Sequence, residues 1–279
     1  MSLSLLLSLL LVGGEGAEGI RWERRFDDAL LRAKTLGKPV MVDFWAEWCG
    51  WCHRLDQTTY VDPVVVRLAK EFVAVKVDTE SGSRASAIAL KYDVSTLPTV
   101  LFLSPSGKLI YRLSGFQGPG QFPRTLDAAR KQAVQVMTWE REVERDPKNA
   151  AALAGLGVQQ FEQESYDVSK DLLVAAVKVD ADRPSEERKH VRLLAGILLK
   201  HVGKTAEAET LLREALALKP AGAFEAKLLY MLGKTCLGSG KHDEARTALQ
   251  QVINAYPDSP VADKAREVLV SLDARGKGQ

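Results

Sequence analysis

Two cysteines separated by two residues, Cys49 and Cys52, are the side chains of this sequence best suited to covalent chemistry. They follow the apolar run Val40 to Phe44, which is typical of a buried strand, and they begin a helix predicted over Cys49–Thr58. A cysteine at a helix N-terminus faces unpaired N–H groups and the positive end of the helix dipole, which stabilise its thiolate. The second cysteine lies one turn further on, close enough to form a disulfide with the first. The spacing therefore predicts thiol–disulfide exchange.

The same motif has three other readings. A zinc site needs a second pair of ligands, but the only other cysteine is Cys236, and the chain has 4 histidines. A c-type haem site would use His53, which completes a C-x-x-C-H pattern, yet the preceding apolar strand and the lack of a second motif disfavour it. A purely structural disulfide is the third alternative, although closing so short a loop gives little stability. We predict no metal and no cofactor, and we expect Cys236 to be an inert, buried small hydrophobe.

The elements that must position the motif alternate through residues 20–135. Strand-like runs rich in β-branched and aromatic residues occupy 40–45, 72–77 and 99–103, and the last turns at 104–107 into 109–111 as a hairpin. Helical patterns occupy 27–36, 49–58, 63–71 and 85–91. Mixed strands and helices at this spacing predict an α/β fold with a central mixed sheet covered by helices.

Strand patterns disappear after residue 120, and a long amphipathic helix ends at Asp146-Pro147. A spaced set of apolar residues and proline then recurs after 37 residues, first as Ala208, Leu212, Ala215 and Pro220, then as Ala245, Leu249, Val252 and Pro257. A weaker earlier copy contains Leu153, Leu156, Gly157, Ser169, Leu173 and Ala176. The pattern resembles tetratricopeptide repeats, which implies an all-α region of helical hairpins. The stretch Pro260 to Leu272 is predicted to cap the array.

Composition excludes several classes of protein. With 46% hydrophobic and 27% charged residues the chain can bury real cores and is not disordered. Its net charge of +2 lacks the basic excess of a nucleic-acid binder. No apolar run is long enough for a polytopic membrane protein. There is also no nicotinamide or flavin fingerprint, so electrons must come from a partner.

The N-terminus contains the apolar run Leu3 to Val12, followed by the small residues Gly13 to Ala17. Its length suits a signal-peptide core rather than a membrane span, although no Lys or Arg precedes it. We predict a signal peptide at residues 1–19 and a periplasmic or otherwise extracytoplasmic location. The alternatives are a buried N-terminal helix and a mis-assigned start.

Four stretches of the sequence carry a family resemblance. Val42 to Gly50 (VDFWAEWCG) resembles the active-site segment of bacterial thioredoxins, and Lys91 to Thr99 (KYDVSTLPT) resembles the segment with their cis-proline. Asp56 to Pro63 and the pair Gly115-Phe116 are more similar to the C-terminal domain of DsbD-type thiol:disulfide interchange proteins. The resemblance covers residues 20–135. It implies a thioredoxin-like domain with a C-terminal connecting helix at 20–146 and tetratricopeptide-like repeats with a capping helix at 147–279.

The resemblance implies a role for each residue of the motif. Cys49 would be the exposed nucleophile and Cys52 the buried resolving thiol. Asp43 would be a buried acid that exchanges a proton with Cys52, its pKa raised by desolvation. The alternative for Asp43 is a carboxylate satisfied by a nearby lysine, with Lys76 as the candidate.

Further residues are expected to contact the substrate. Pro98 in a cis peptide bond would expose the Leu97 backbone beside the disulfide, where an extended substrate could add as a strand; the alternative is an ordinary trans turn. Trp48 would cover the active site rather than lie in the core, while Trp45 is expected in the core. The predicted substrate-binding residues are Trp48, Gly50, Trp51, Leu97, Pro98 and Gly115. Trp51 stands where thioredoxins have proline.

These features predict an exported thiol–disulfide oxidoreductase of moderate potential that reduces, or relays electrons to, protein disulfides. A membrane or soluble thiol reductase would supply the electrons, and the repeats would dock clients or a partner, with a peptide or protein ligand in their groove. The alternative is a non-catalytic interaction scaffold in which the Cys49–Cys52 disulfide only supports the structure.

Overall fold

The computed structural model of the protein describes residues 19–276. A five-stranded mixed sheet lies at the centre of its first part, in the order β1-β3-β2-β4-β5. The strands are β1 (Trp22–Glu23), β2 (Val40–Trp45), β3 (Val73–Asp78), β4 (Thr99–Leu103) and β5 (Leu109–Ser114). The predicted fold class is confirmed, but the sequence patterns missed β1, which is only 2 residues long.

The central position of β2 in the sheet explains why its residues are apolar on both faces. It pairs in parallel with β3 and antiparallel with β4, so every neighbour of β2 is another strand. Helices cover both faces of such a strand, which therefore reads as a continuous hydrophobic run. Asp43 interrupts that run and is fully buried. It lies opposite Lys76 in the register of β2 and β3.

Five helical segments accompany the sheet: α1 (Phe26–Leu36), α2 (Gly50–Arg54), a π-helical turn at Leu55–Thr59, α3 (Pro63–Ala69) and α4 (Ser83–Lys91). The sequence pattern predicted one helix over Cys49–Thr58, and the structure widens its second half into the π-helical turn, where the Tyr60 N–H donates to the Leu55 carbonyl at 2.9 Å. Asp62 caps α3 by accepting from the N–H groups of Val64 and Val65.

The remaining chain is helical. It comprises α5 (Phe122–Arg145), α6 (Ala150–Glu162), α7 (Tyr166–Val177), α8 (Ser185–His201), α9 (Thr205–Ala217), α10 (Glu225–Gly238), α11 (His242–Ala255) and α12 (Ala262–Gly276). From α6 to α11 consecutive helices pack in pairs, and α12 packs on α11, which confirms the predicted helical hairpins.

In each helix pair, a glycine near the middle of the first helix allows the two helices to pack closely. A Cβ atom at Gly157, Gly196 or Gly233 would lie 2.7, 3.1 or 2.8 Å from a leucine of the second helix. The leucines are Leu173, Leu212 and Leu249, members of the repeat found in the sequence. The recurring small and apolar residues thus mark the contact between paired helices.

The described chain divides into two compact units. The first ends at Lys131, and the second begins at Gln132 and also takes in residues 108–110, so the division falls within α5. The predicted boundary at residues 146 and 147 stays a prediction. Among the helices formed by residues 19–276, none is both long and apolar enough to cross a membrane. The predicted signal peptide falls outside the described residues, apart from Gly19.

Candidate redox site

Cys49 and Cys52 form a disulfide at the start of α2, with their Cα atoms 5.3 Å apart. Cys49 is the N-cap residue with extended backbone angles, and its Sγ accepts from the Cys52 N–H at 3.2 Å. The Cys49 N–H in turn donates to the Ala46 carbonyl at 3.0 Å, which fixes the turn between β2 and α2. Once the disulfide is reduced, the Cys49 sulfur therefore faces the donors that favour a thiolate.

The burial of the two cysteines differs from the sequence-based expectation. Cys49 is 3% exposed and Cys52 is 1% exposed, so the predicted exposure of Cys49 is wrong for the disulfide form. The disulfide bond to Cys52 and the hydrogen bond from the Cys52 N–H together cover the Cys49 sulfur. The neighbouring tryptophans are the exposed groups instead, with Trp48 at 68% and Trp51 at 57%.

Three aromatic side chains, Trp48, Trp51 and Phe116, form what we call the aromatic rim. Trp48 and Trp51 are neighbours of the cysteines in the chain, and Phe116 contacts Trp51. The Trp48 indole N–H donates to Glu80 at 2.7 Å, which holds an otherwise exposed ring in place. Trp51 packs on Phe116 with ring centroids 5.2 Å apart. The Arg54 guanidinium carbon lies 5.7 Å from the Trp51 ring centre and 5.8 Å from that of Phe116. Trp48 therefore lies at the surface, as the covering role requires, and not in the core.

Sequence reasoning did not single out Arg54. The available indication was its position three residues after Trp51 in the predicted helix, since residues three apart are neighbours on a helix surface.

The segment around Pro98 joins this rim through a short series of contacts. The Leu97–Pro98 peptide bond is cis, as predicted. The Gly115 N–H donates to the Pro98 carbonyl at 2.8 Å, and Gly115 has φ 87°, a conformation that favours glycine. Phe116 follows directly and contacts Trp51. The structure thus brings Trp51, Gly115 and Pro98 into one neighbourhood, while Leu97 is half-buried.

The buried acid of β2 has the lysine partner named above. The Lys76 Nζ lies 3.0 Å from Asp43 Oδ2, and Lys76 also forms an ion pair with Asp56. Burial raises the pKa of Asp43 above its ordinary value, and the charge of Lys76 opposes that rise. Asp43 is therefore paired with Lys76, and its proton is still bound more tightly than that of an exposed aspartate. Proton exchange between Asp43 and Cys52 stays a prediction.

Aromatic rings enclose the ammonium group of Lys76. Its Nζ lies 5.0 Å from the ring centre of Trp22, 5.3 Å from that of Tyr60 and 5.7 Å from that of Trp45. The faces of these rings attract a cation, so they hold the lysine beside Asp43. Trp45 is only half-buried and contacts this cation, instead of filling the core as expected.

Asp56 and Tyr60 complete the cluster. Tyr60 is buried, and its burial, together with the charges of Asp43 and Asp56, raises the pKa of the phenol well above its ordinary value. Sequence reasoning gave neither residue a role. The indication it overlooked is the spacing of Cys52, Asp56 and Tyr60, which are four residues apart and so share one face of a helix.

The side chains that a metal or haem would need at the Cys-x-x-Cys-His motif already have partners. In the disulfide form neither sulfur of the pair is available as a ligand, and His53 Nε2 lies 2.7 Å from the Glu47 carbonyl oxygen. In the second unit Glu209, Cys236 and Glu244 place ligand atoms close together. Arg213 and Lys241 already neutralise that group, with Lys241 Nζ 2.9 Å from Glu209. Cys236 is fully buried in the helical core, as predicted, and burial raises the pKa of its thiol.

Two parts of the chain match models of known protein families. Residues 21–105 match the family model described as thioredoxin-like, and residues 201–269 match a tetratricopeptide repeat model. Thiol:disulfide interchange protein DsbD of Actinobacillus pleuropneumoniae serotype 5b is 36% identical over 89 residues, which cover 31% of this chain and 15% of that protein. The protein of the same name from Vibrio vulnificus strain CMCP6 is 33% identical over 106 residues, covering 37% and 18%. The chain thus matches less than a fifth of the length of these relatives.

Among solved structures, a thioredoxin from Thermus thermophilus is 29% identical with a TM-score of 0.39, covering 42% of this chain and 91% of that one. The oxidised C-terminal domain of DsbD from Neisseria meningitidis is 24% identical with a TM-score of 0.33, covering 37% and 90%.

The first unit is a thioredoxin-like domain with a Cys-x-x-Cys disulfide at the start of a helix. It is related to the disulfide oxidoreductases of the DsbD type, and tetratricopeptide repeats follow it in the same chain.

Proposed function

We propose that this protein is an exported thiol–disulfide oxidoreductase that uses the Cys49–Cys52 pair to reduce, or relay electrons to, disulfides of other proteins. The observation that carries the proposal is the position of this pair, with Cys49 as N-cap of α2, directly after the strand that holds the buried Asp43. The DsbD-type relatives match this same domain.

The reaction begins with the reduced protein. The Cys49 thiolate attacks one sulfur of a substrate disulfide, which forms a mixed disulfide and releases the first substrate thiolate. Cys52 then loses its proton and attacks the Cys49 sulfur, which forms the Cys49–Cys52 disulfide and releases the second substrate thiolate. Two electrons pass to the substrate, and its two thiolates take up two protons. A donor dithiol, such as that of a membrane or soluble thiol reductase, restores the reduced protein.

Asp43 is proposed to accept the proton of Cys52 in the second step. Its raised pKa supports this role, because a carboxylate with a raised pKa is a better base than an exposed aspartate. Asp43→Asn keeps the shape but removes the acceptor, so the mixed disulfide should persist longer without unfolding of the domain. Unchanged kinetics from about pH 6 to 9 would leave Asp43 a structural role only.

The rim and the cis-proline segment are proposed to bind the substrate. Trp48 precedes Cys49, and Gly50 and Trp51 lie between the two cysteines. Leu97 and Pro98 are connected to Trp51 through the hydrogen bond from the Gly115 N–H to the Pro98 carbonyl and the contact of Phe116 with Trp51. Exposed aromatic rings give large contact area to a partner protein at little conformational cost. The extracytoplasmic location rests on the pattern of residues 1–19, and the repeats are proposed to dock clients or a partner.

The test is dithiothreitol-dependent reduction of insulin by the full chain. Activity should be lost in Cys49→Ala and kept in Cys236→Ala, a matched control that also removes a buried cysteine. Cys52→Ala should hold its natural partner on Cys49 as a mixed disulfide, since the resolving thiol is gone. A Cys49→Ala protein as active as the Cys236→Ala control would refute the proposal.

One observation favours the non-catalytic scaffold as a second candidate, namely that both cysteines are almost completely buried. In that case the disulfide would resist reduction, with a potential below about −300 mV, and its loss would mainly lower thermal stability. A potential above that value together with insulin reduction selects the enzyme.

A further inference from the structure

Arg54 is an exposed cation next to the aromatic rim, two residues after Cys52. Its guanidinium forms no ion pair with any carboxylate of residues 19–276. The rings of Trp51 and Phe116 hold it in place, since its central carbon lies 5.7 and 5.8 Å from their centres. A planar guanidinium that is already held in place loses little conformational entropy when it binds a carboxylate.

The two tryptophans of the rim make contacts on opposite sides of the disulfide. Trp48 donates to Glu80, which follows β3, whereas Trp51 packs on Phe116, which follows β5. In the strand order, β3 lies on one side of β2, and β4 and β5 lie on the other. The disulfide follows β2, so the two contacts flank it.

These two sides carry opposite charges. Glu80 and the exposed Glu47, which directly precedes Trp48, place negative charge on the Trp48 side. Arg54 places positive charge on the Trp51 side. A carboxylate of a substrate is therefore attracted on one side of the disulfide and repelled on the other. The position of a charge in the substrate matters here, and not only the total charge.

We propose that Arg54 is a specificity-determining residue that selects disulfides with a carboxylate on only one side of the reacting cysteine. That carboxylate binds the guanidinium over Trp51, and an uncharged or basic residue of the substrate lies toward Trp48. The contact stays at the surface, so it should raise the rate about threefold, in the range of an exposed ion pair. The inference rests on the oxidoreductase function proposed above and names its substrate class.

The test compares kcat/KM of the full chain for disulfide-linked homodimers of short peptides. Two peptides, Glu-Gly-Cys-Gly-Gln and Gln-Gly-Cys-Gly-Glu, carry one carboxylate each, and Gln-Gly-Cys-Gly-Gln is the reference. Dithiothreitol supplies two electrons and becomes its cyclic disulfide, while the two peptide thiolates take up two protons. Rates with dithiothreitol alone correct for the effect of a nearby charge on the peptide thiol. One single-Glu peptide should react about threefold faster than the reference, and the other no faster.

Variants of Arg54 test whether this residue causes the preference. Arg54→Gln should abolish it, and Arg54→Glu should make the favoured peptide slower than the reference. Arg67→Gln is the matched control and should keep the preference, because Arg67 is exposed on α3 and has no ion-pair partner in the described part of the chain. Raising the salt concentration should reduce the preference of the unaltered protein.

Equal rates for the two single-Glu peptides would overturn the inference. So would a preference that persists in Arg54→Gln, even if that variant lost rate with every peptide, because Arg54 would then only hold Trp51 in place. In both cases the reference peptide is still reduced, and the oxidoreductase proposal stands. If the unaltered protein reduced neither the peptides nor insulin, the proposed function would fail, and this inference with it.

Discussion

Lys76 lies opposite Asp43 in the parallel pairing of β3 and β2, with its Nζ 3.0 Å from the buried carboxylate. The same ammonium group binds Asp56 and is enclosed by the rings of Trp22, Trp45 and Tyr60. Burial favours the protonated form of Asp43 and the lysine favours the charged form, and burial dominates. Lys76 therefore limits how far burial raises the pKa of Asp43.

Lys76→Met should raise the pKa of Asp43 further, because the cation that opposes the effect of burial is removed while the negative charge of Asp56 remains. The pH at which insulin reduction reaches half its maximum should move upward. Lys70→Met is the control, since Lys70 is an exposed lysine just before β3 and its side chain forms no ion pair among the described residues. A midpoint that is unchanged, or lower, would mean that Lys76 does not act on the titrating acid.

Asp43→Asn should change the pH dependence of stability. A pKa raised in the folded state means that the folded protein binds the proton more tightly than the unfolded chain, so the free energy of unfolding falls as pH rises from the unfolded value of 3.8 through the folded value. Asparagine resembles the protonated acid, so the free energy of unfolding of the variant does not fall in this way as pH rises. The stability of the variant relative to the unaltered protein should therefore increase from pH 4 to pH 8 in urea unfolding. A difference that shrinks with pH would show that the ion pair with Lys76 outweighs burial.

Trp51→Ala should lower kcat/KM for insulin about tenfold, in the range of an exposed aromatic anchor, because the ring that packs on Phe116 and under Arg54 is lost from the rim. The rate with a small aromatic disulfide should change little, since such a substrate needs no docking surface. Leu90→Ala, which removes an exposed apolar side chain of α4, should leave both rates unchanged. Equal losses of rate for insulin and the small disulfide would show that Trp51 acts on the reactivity of the cysteines and not on substrate docking.

The sequence predicted the features that depend on local pattern. The apolar run of β2, the cysteine pair at a helix start and the recurring apolar residues of the repeats each appear where expected. The two-residue strand β1 was missed, because so short a strand has no periodicity and forms only by pairing with β3. The burial of Cys49 was predicted wrongly, because the cysteine spacing alone does not show how far the disulfide bond and the hydrogen bond from the Cys52 N–H cover the sulfur.

The cluster around Lys76 was only partly predictable. Lys76 was named as the candidate partner of Asp43, but the register of two parallel strands is not encoded in either strand alone. Asp56 lies in the π-helical turn and Tyr60 directly follows it, and this wider turn directs their side chains differently from a regular helix. Their roles follow from this combination of register and turn.

Gly233→Ala should destabilise the repeats. The added Cβ atom would lie 2.8 Å from Leu249 Cγ and 3.3 Å from the Ala245 carbonyl oxygen, and backbone cannot move aside as a side-chain end can. Overpacking of this kind costs about 1–3 kcal/mol, of which the better helix propensity of alanine recovers about 0.5–1. Gly238→Ala at the end of the same helix meets no atom within 4 Å, so it should be neutral or slightly stabilising. Urea unfolding of the full chain, followed by far-ultraviolet circular dichroism, compares the two variants. If Gly233→Ala were as stable as Gly238→Ala, the paired helices could not be as close as this glycine requires.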